Sequence, residues 1–260
     1  MPRVEFTGSA GVQLAARLEM PSGDPRAYAV FAHCFTCSKD SRAASRIARA
    51  LTASGLAVLR FDFTGLGESD GDFSNTNFSS NVDDLVAAAG FLARDYRAPA
   101  LLIGHSLGGA AVIAAAEHLP SVRAIATIGA PSDPGHVTAL FSSSIDSIVR
   151  EGEAEVTLAG RQFRIRRSLL DDLAEQPQLE RIVRLNRALL VLHSPTDDIV
   201  GIDNARQIFE AARHPKSFVA LDGADHLLTS GPDSSYVASI IAAWASRYAL
   251  DAPAAAPSHR

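Results

Sequence analysis

Pro99-Ala100-Leu101-Leu102-Ile103-Gly104-His105-Ser106-Leu107-Gly108-Gly109, followed by the alanine-rich run Ala110 to Ala116, decides how this chain is read. Ala100 to Ile103 is a short apolar run suited to a buried strand, and the residues after Gly109 suit a helix. Between them the chain must turn sharply, with Ser106 at the apex. Gly104 and Gly108, two residues either side, remove the Cβ atoms that would collide where strand and helix approach. A G-x-S-x-G turn in this setting presents a serine hydroxyl at the carboxyl end of a parallel sheet. A glycine-rich turn that merely packs would share the five residues. The strand before and the helix after favour a nucleophile.

Outward from that turn, apolar strands alternate with amphipathic helices. Residues 3–7 and 12–20 read as an antiparallel pair around Gly8 and Gly11, and Ala27 to Ala32 as a short strand. Arg42 to Ser54 reads as a helix stopped by Gly55, and Ala57 to Phe63 as the next strand. Phe78 to Tyr96 is a long helix with Ser79, Ser80 and Asn81 as cap candidates and Asp83 and Asp84 suited to its dipole. Strands follow at Ala124 to Gly129, Ala188 to His193 and Ser217 to Leu221, with helices over Ile202 to Arg213 and Ser235 to Tyr248. The alternation implies an α/β fold, a mostly parallel, doubly covered sheet with an antiparallel N-terminal edge.

Residues 131–187 interrupt it. They offer a helical stretch near Val137 to Val149, a hairpin turning at Ala159-Gly160, and a polar helix from Ser168 to Arg184. So long a segment between two strands should be structured. It reads as a small cap inserted between the two parts of the core, residues 1–130 and 188–250. Residues 251–260, rich in Ala and Pro, read as a tail or linker.

A chain of 260 residues, 47% hydrophobic and 20% charged, can bury a sizeable core. Its net charge of −5 gives no reason to expect a nucleic acid or an anionic membrane as partner. Neither a signal-peptide layout nor a spanning apolar run is present, so the expectation is a soluble, cytoplasmic protein. Cys34 and Cys37 form a single C-x-x-C. Two ordinary thiols in a loop are the plain reading and a reversible disulfide, a redox pair, the sharper one. A zinc site would need distant histidines, and no metal is expected.

A serine hydroxyl needs a base near neutral pH, and the base an orienting acid. Both occur after Ser106 in the order Ser, acid, His. The strand ending at Leu192 runs into His193-Ser194-Pro195-Thr196-Asp197-Asp198-Ile199-Val200, with two carboxylates at a strand end. The next strand runs into Asp222-Gly223-Ala224-Asp225-His226, a loop histidine just before the last helix. His105, His193 and His33 read as packing or structural hydrogen-bonding residues, and Asp225 as a shaper of the loop. The residue after the nucleophile, Leu107, would supply one backbone N–H to an oxyanion.

From Arg3 to Tyr248 the chain resembles the α/β-hydrolases, on the G-x-S-x-G, H-x-x-x-D and G-x-D-H motifs just quoted. The resemblance implies Ser106 as nucleophile, Asp197 rather than Asp198 as acid, His226 as base, and Phe35 as the second oxyanion N–H donor. Cys34 stands where many relatives carry glycine, which sets the C-x-x-C against the oxyanion loop. Closing that pair is therefore expected to disturb Phe35 N–H and slow turnover. His33-Cys34-Phe35-Thr36-Cys37-Ser38-Lys39, Arg60 to Gly67, Thr76 to Asn81 and Ile128-Gly129-Ala130-Pro131 further resemble the hydrolase half of bacterial α/β-hydrolase/OsmC fusion proteins. That implies an OsmC-like domain as a C-terminal partner in a full-length protein.

The expected activity is hydrolysis of a small carboxylic ester or thioester through an acyl-enzyme, without a cofactor. Peptidase, C–C hydrolase and perhydrolase chemistry would use the same three residues, and a non-catalytic binding module would use none. The substrate pocket is expected at Leu140, Phe141, Ile199 and Val200 beside Phe35 and Leu107. Arg161, Arg164, Arg166 and Arg167 on the hairpin read as a solvated face, or as a site for an anionic leaving group or a partner domain.

Overall fold

Short apolar runs in a computed structural model, which describes residues 3–250, become the strands of one twisted sheet. In chain order the first elements are β1 (Arg3–Thr7), β2 (Gln13–Glu19), β3 (Ala27–Ala32), α1 (Arg42–Thr52), β4 (Leu56–Phe61), α2 (Phe78–Asp95), β5 (Leu101–His105), α3 (Leu107–Ala115) and β6 (Ala124–Ile128). After the insertion come β9 (Ala188–His193), α7 (Asp203–Ala211), β10 (Lys216–Ala220) and α8 (Gly231–Tyr248). The eight strands lie in the order β1-β2-β4-β3-β5-β6-β9-β10. β1 and β2 pair antiparallel with each other, as do β2 and β4, and every later pairing is parallel. This is the expected doubly covered sheet with an antiparallel edge. Residues 251–260, the expected tail, lie outside the described residues.

β5 sits near the centre, with Gly104 beside Ala32 of β3 and His105 beside Ile128 of β6. Its side chains alternate between faces. Leu102 joins a core with α2, α3 and α7, whereas Leu101 and Ile103 join one with α1 and α8.

Residues 131–187 form a 3-10 segment, Pro134–Ser144, then α4 (Ile145–Glu151), the hairpin β7 (Glu153–Leu158) and β8 (Arg161–Arg166), α5 (Arg167–Ala174) and α6 (Gln178–Arg184). The expected hairpin is present, and positive φ at Ala159 and Gly160 makes its turn. The two helices expected here differ. The first is a 3-10 segment broken at Phe141, whose backbone (φ −138°, ψ 31°) is non-helical, before α4 begins. The second is two helices, because Pro177 has no N–H to donate and disfavours helix in the residue before it.

Two other local expectations give way. α2 is capped by Asn77, not by residues 79–81: its side chain accepts from Ser80 N–H while the Ser80 hydroxyl accepts from Asn77 N–H. Asp84 does not serve the dipole. It is buried, accepting from Thr64 N–H at 3.0 Å and the Thr64 hydroxyl at 2.8 Å, and so anchors the loop after β4.

Candidate active site

Ser106 occupies the turn between β5 and α3 with φ 55° and ψ −126°, a conformation a side chain seldom adopts. Its N–H donates to Ile128 O at 2.8 Å, tying the turn to β6. The flanking glycines are required by close approach. A Cβ on Gly104 would lie 2.3 Å from Gly108 O, and one on Gly108 2.5 Å from both Ala32 O and His33 O.

The loops after β9 and β10 bring the other two groups to the hydroxyl. His226 Nε2 lies 3.0 Å from Ser106 Oγ, and His226 Nδ1 lies 2.7 Å from Asp197 Oδ2. An ionised carboxylate only accepts, so Nδ1 carries the hydrogen and Nε2 is left to accept from the serine. The other Asp197 oxygen accepts from Ile199 N–H at 3.0 Å and Val200 N–H at 2.8 Å. Burial alone would raise the pKa of Asp197. The His226 contact and the two backbone donors outweigh it and hold the carboxyl below its ordinary value. Asp198 is exposed, and Asp197 is the carboxylate on the imidazole.

His105 does more than pack. Its Nε2–H donates to His226 O at 2.7 Å, joining the end of β5 to the histidine loop. Burial, and then the neighbouring His226, push its pKa down to about 4, so it stays neutral. His193 Nε2–H holds Val200 O at 2.7 Å and His33 Nδ1–H holds Cys34 O at 2.8 Å, the structural bonds expected of them. Asp225 accepts from Thr229 N–H and shapes its loop. Gly129 was missed as a site residue. It has φ +55°, and a Cβ there would lie 3.3 Å from Asp197 Oδ2 and 3.4 Å from His226 Nδ1. Only the folded chain brings these neighbours together.

An esterase domain from Rhodothermus marinus is similar over nearly the whole chain: 50% identity, 95% of this chain and 98% of that one covered, TM-score 0.78. The chain belongs to the α/β-hydrolase superfamily. The family model described as serine aminopeptidase, S33, matches residues 23–150. A monoacylglycerol lipase of Mycolicibacterium smegmatis is 23% identical over 92% of this chain and 95% of its own length. The mitochondrial palmitoyl-protein thioesterase ABHD10 of Mus musculus is 28% identical over 69% of this chain and 62% of its own length. The protein is thus an enzyme of the esterase- and lipase-like α/β-hydrolases.

Beside Ser106 the hydrolase has a pocket of about 350 Å³, its open mouth included, lined by Phe35, Leu107, Leu140, Ile199 and Val200 among others. Phe141 does not reach it; the backbone break turns that ring into the core, where it is 3% exposed. His136, not foreseen, lines the pocket instead, and its Nε2–H donates to Ile199 O at 2.8 Å. A second cavity of about 280 Å³ shares Phe35 and Leu107 and adds His33, Cys34, Phe63 and Phe73.

Cys34 and Cys37 are disulfide-bonded, so the ordinary-thiol reading does not hold. Their loop is anchored downstream by Lys39, whose N–H and Nζ donate to Asp62 at 2.6 and 2.7 Å, and whose carbonyl accepts from Arg60. Arg60 in turn donates to buried Glu19 at 2.6 Å. Removing one member would leave a buried charge unpaired, the costly way to break such a network. On the hairpin Arg164 and Arg166 pair with Glu153, whereas Arg167, expected there, opens α5 and pairs with Asp171 one turn on. Arg161 donates to Thr36 O at 3.3 Å. With three of the four arginines facing carboxylates, the cluster has the character of a solvated face. Among the described residues no group of His, Cys, Asp and Glu could hold a metal ion, and no helix is long and apolar enough to cross a membrane.

Proposed function

We propose that the enzyme hydrolyses small carboxylic esters and thioesters through an acyl-enzyme on Ser106. The observation that carries the reading is the unbroken chain of contacts from Ser106 Oγ to His226 Nε2 and from His226 Nδ1 to Asp197. Ser106 Oγ attacks the carbonyl carbon as its proton passes to His226 Nε2. Asp197 fixes the tautomer and stabilises the imidazolium. The negative oxygen is met by Leu107 N–H, which as the first residue of α3 has no helical carbonyl to bond, and by Phe35 N–H. His226 then returns the proton to the leaving alkoxide or thiolate. Water, deprotonated by His226, attacks the acyl carbon and frees the acid and the serine.

The pocket supports a small, uncharged acyl group, since its walls are apolar and its volume modest. The test is a p-nitrophenyl ester series on the wild type and Ser106→Ala. Acetate and butyrate should give higher kcat/KM than octanoate and palmitate, and Ser106→Ala should lose kcat by roughly 10⁶-fold with its fold intact. Hydrolysis retained in Ser106→Ala would remove the acyl-enzyme.

A further inference from the structure

The loop carrying Phe35 is closed by a covalent tie for which the reaction just described has no use. Cys34 and Cys37 are disulfide-bonded, and Cys37 N–H donates to Cys34 O at 3.1 Å. Within that ring Thr36 sits at φ +60°, a region a β-branched residue rarely adopts. The loop is held from both sides. Upstream, His33 bonds Cys34 O and stacks edge-on against Phe63; downstream, Lys39 is held by Asp62 and Arg60. Within the segment Arg161 donates to Thr36 O at 3.3 Å and Phe35 packs on Phe73, contacts weaker than the covalent tie, so residues 34–37 are the part that relaxes if the tie opens, and Phe35 is in the middle of it. Phe35 also lines the pocket that contains Ser106.

We infer that the Cys34–Cys37 disulfide is a positioning element for the oxyanion-facing N–H of Phe35, so that ester hydrolysis is fastest with the pair oxidised and slows when a dithiol reduces it. The inference rests on the acyl-enzyme reading above. Its direction reverses the expectation from sequence that closing the pair disturbs the loop. With the disulfide closed, Phe35 is at the Ser106 pocket and the Ser106–His226–Asp197 contacts are intact. Opening it removes the tie that keeps Thr36 in its unfavourable backbone conformation and lets Cys37 N–H leave Cys34 O, so that the peptide bearing Phe35 N–H, its carbonyl then held by His33 alone, can tilt about that bond.

The chemistry is thiol–disulfide exchange. One thiolate of a dithiol attacks Cys37 Sγ, on the half-buried rather than the buried residue of the pair. The S–S bond breaks, a mixed disulfide forms, and Cys34 leaves as thiolate. The second thiolate of the reagent displaces Cys37 and departs in a cyclic disulfide. The chain has gained two electrons and, once both thiolates protonate, two protons.

Deleting one oxyanion donor outright costs about 10²–10³ in kcat. Loosening its loop should cost less, about 10- to 100-fold, with KM changed by about twofold or less because the donor acts mainly on the transition state. The experiment compares wild-type enzyme oxidised with that reduced by dithiothreitol and desalted without oxygen. Thiol titration should find none and two free thiols respectively, the chain having two cysteines. On p-nitrophenyl acetate, kcat should fall on reduction and return on reoxidation with oxidised glutathione, with unchanged far-UV circular dichroism throughout. A Cys34→Ser/Cys37→Ser double variant should turn over at the reduced rate whether or not dithiothreitol is added. Equal kcat in the two wild-type forms overturns the inference, as does a loss that tracks unfolding or a double variant working at the full oxidised rate. If the double variant does not fold, the wild-type comparison decides alone. Ser106→Ala assayed alongside separates the two levels: activity surviving in it sinks the acyl-enzyme and this inference together. Activity lost in it, with no redox effect on the wild type, sinks only the inference.

Discussion

His105 and His226 lie with their ring centres 5.3 Å apart and have opposite tasks. In the proposed mechanism His226 accepts a proton during turnover, and a second cation beside it would oppose that. His105 is kept neutral by burial and by His226 itself, with a pKa down at about 4. The stability consequence has a definite sign. In the unfolded chain the residue titrates near its ordinary value of about 6.5. Between there and about 4 the unfolded state binds a proton that the native state does not, so stability falls as the pH is lowered through that interval. The loss attributable to His105 is about 3 kcal/mol. Asp197, His33 and His193 also have lowered values, but they are shared by a variant at position 105 and cancel in a difference. Urea unfolding at pH 7 and pH 4.5 should therefore show the wild type losing about 2–3 kcal/mol more than His105→Gln. Equal losses would mean that His105 is not held neutral.

Among the elements, the junction of β5, α3 and the end of β3 has the least freedom. Gly108→Ala would drive a Cβ to 2.5 Å from the carbonyl oxygens of Ala32 and His33, which are backbone and cannot swing away. The expected cost is about 2–3 kcal/mol. Because the displaced strand end leads into the Phe35 loop, kcat should fall further than the melting temperature alone implies. Thermal melts and p-nitrophenyl acetate kinetics on the same preparation check both. This junction was legible in the sequence because its signals are local: an apolar run, glycines at fixed offsets, and a helix-forming stretch. The order Ser106, Asp197, His226 was legible for a related reason, since each falls just after a recognisable strand. What escaped depends on neighbours far along the chain. Phe141 looks like a pocket residue until a backbone break points it inward. Asp84 looks like a dipole partner until Thr64, twenty residues earlier, claims one of its oxygens and Ser9, further still along the chain, the other. Gly129 lies in a stretch that carries the family resemblance, but nothing in the sequence places it against the site, and His136 carries no motif; both matter because Asp197, His226 and Ile199 arrive beside them.

At the scale of the molecule, the sheet separates two apolar cores, and the insertion belongs to one of them. Phe141, Ile148, Val156, Phe163, Ile165 and Leu169 are buried in the same cluster as Phe61, Leu85 and Leu102 of the main body. Ser79 strengthens the link, donating its N–H to Asp172 of α5 at 3.0 Å. The insertion thus shares its core with the main body while it forms one wall of the pocket. Chains of this length often unfold through intermediates, so a cooperative transition would be informative. Trp244, the chain's single tryptophan, packs against the core on the opposite face of the sheet, with α1 and α8. Its fluorescence follows that face, whereas far-UV circular dichroism follows all the helices and strands, including α4, α5, α6 and the hairpin. If the insertion and the sheet form one cooperative unit, the two signals should give coincident urea midpoints. Ellipticity lost at lower urea than the Trp244 signal would instead mean an insertion that detaches first, and a pocket whose outer wall is mobile on the way to unfolding.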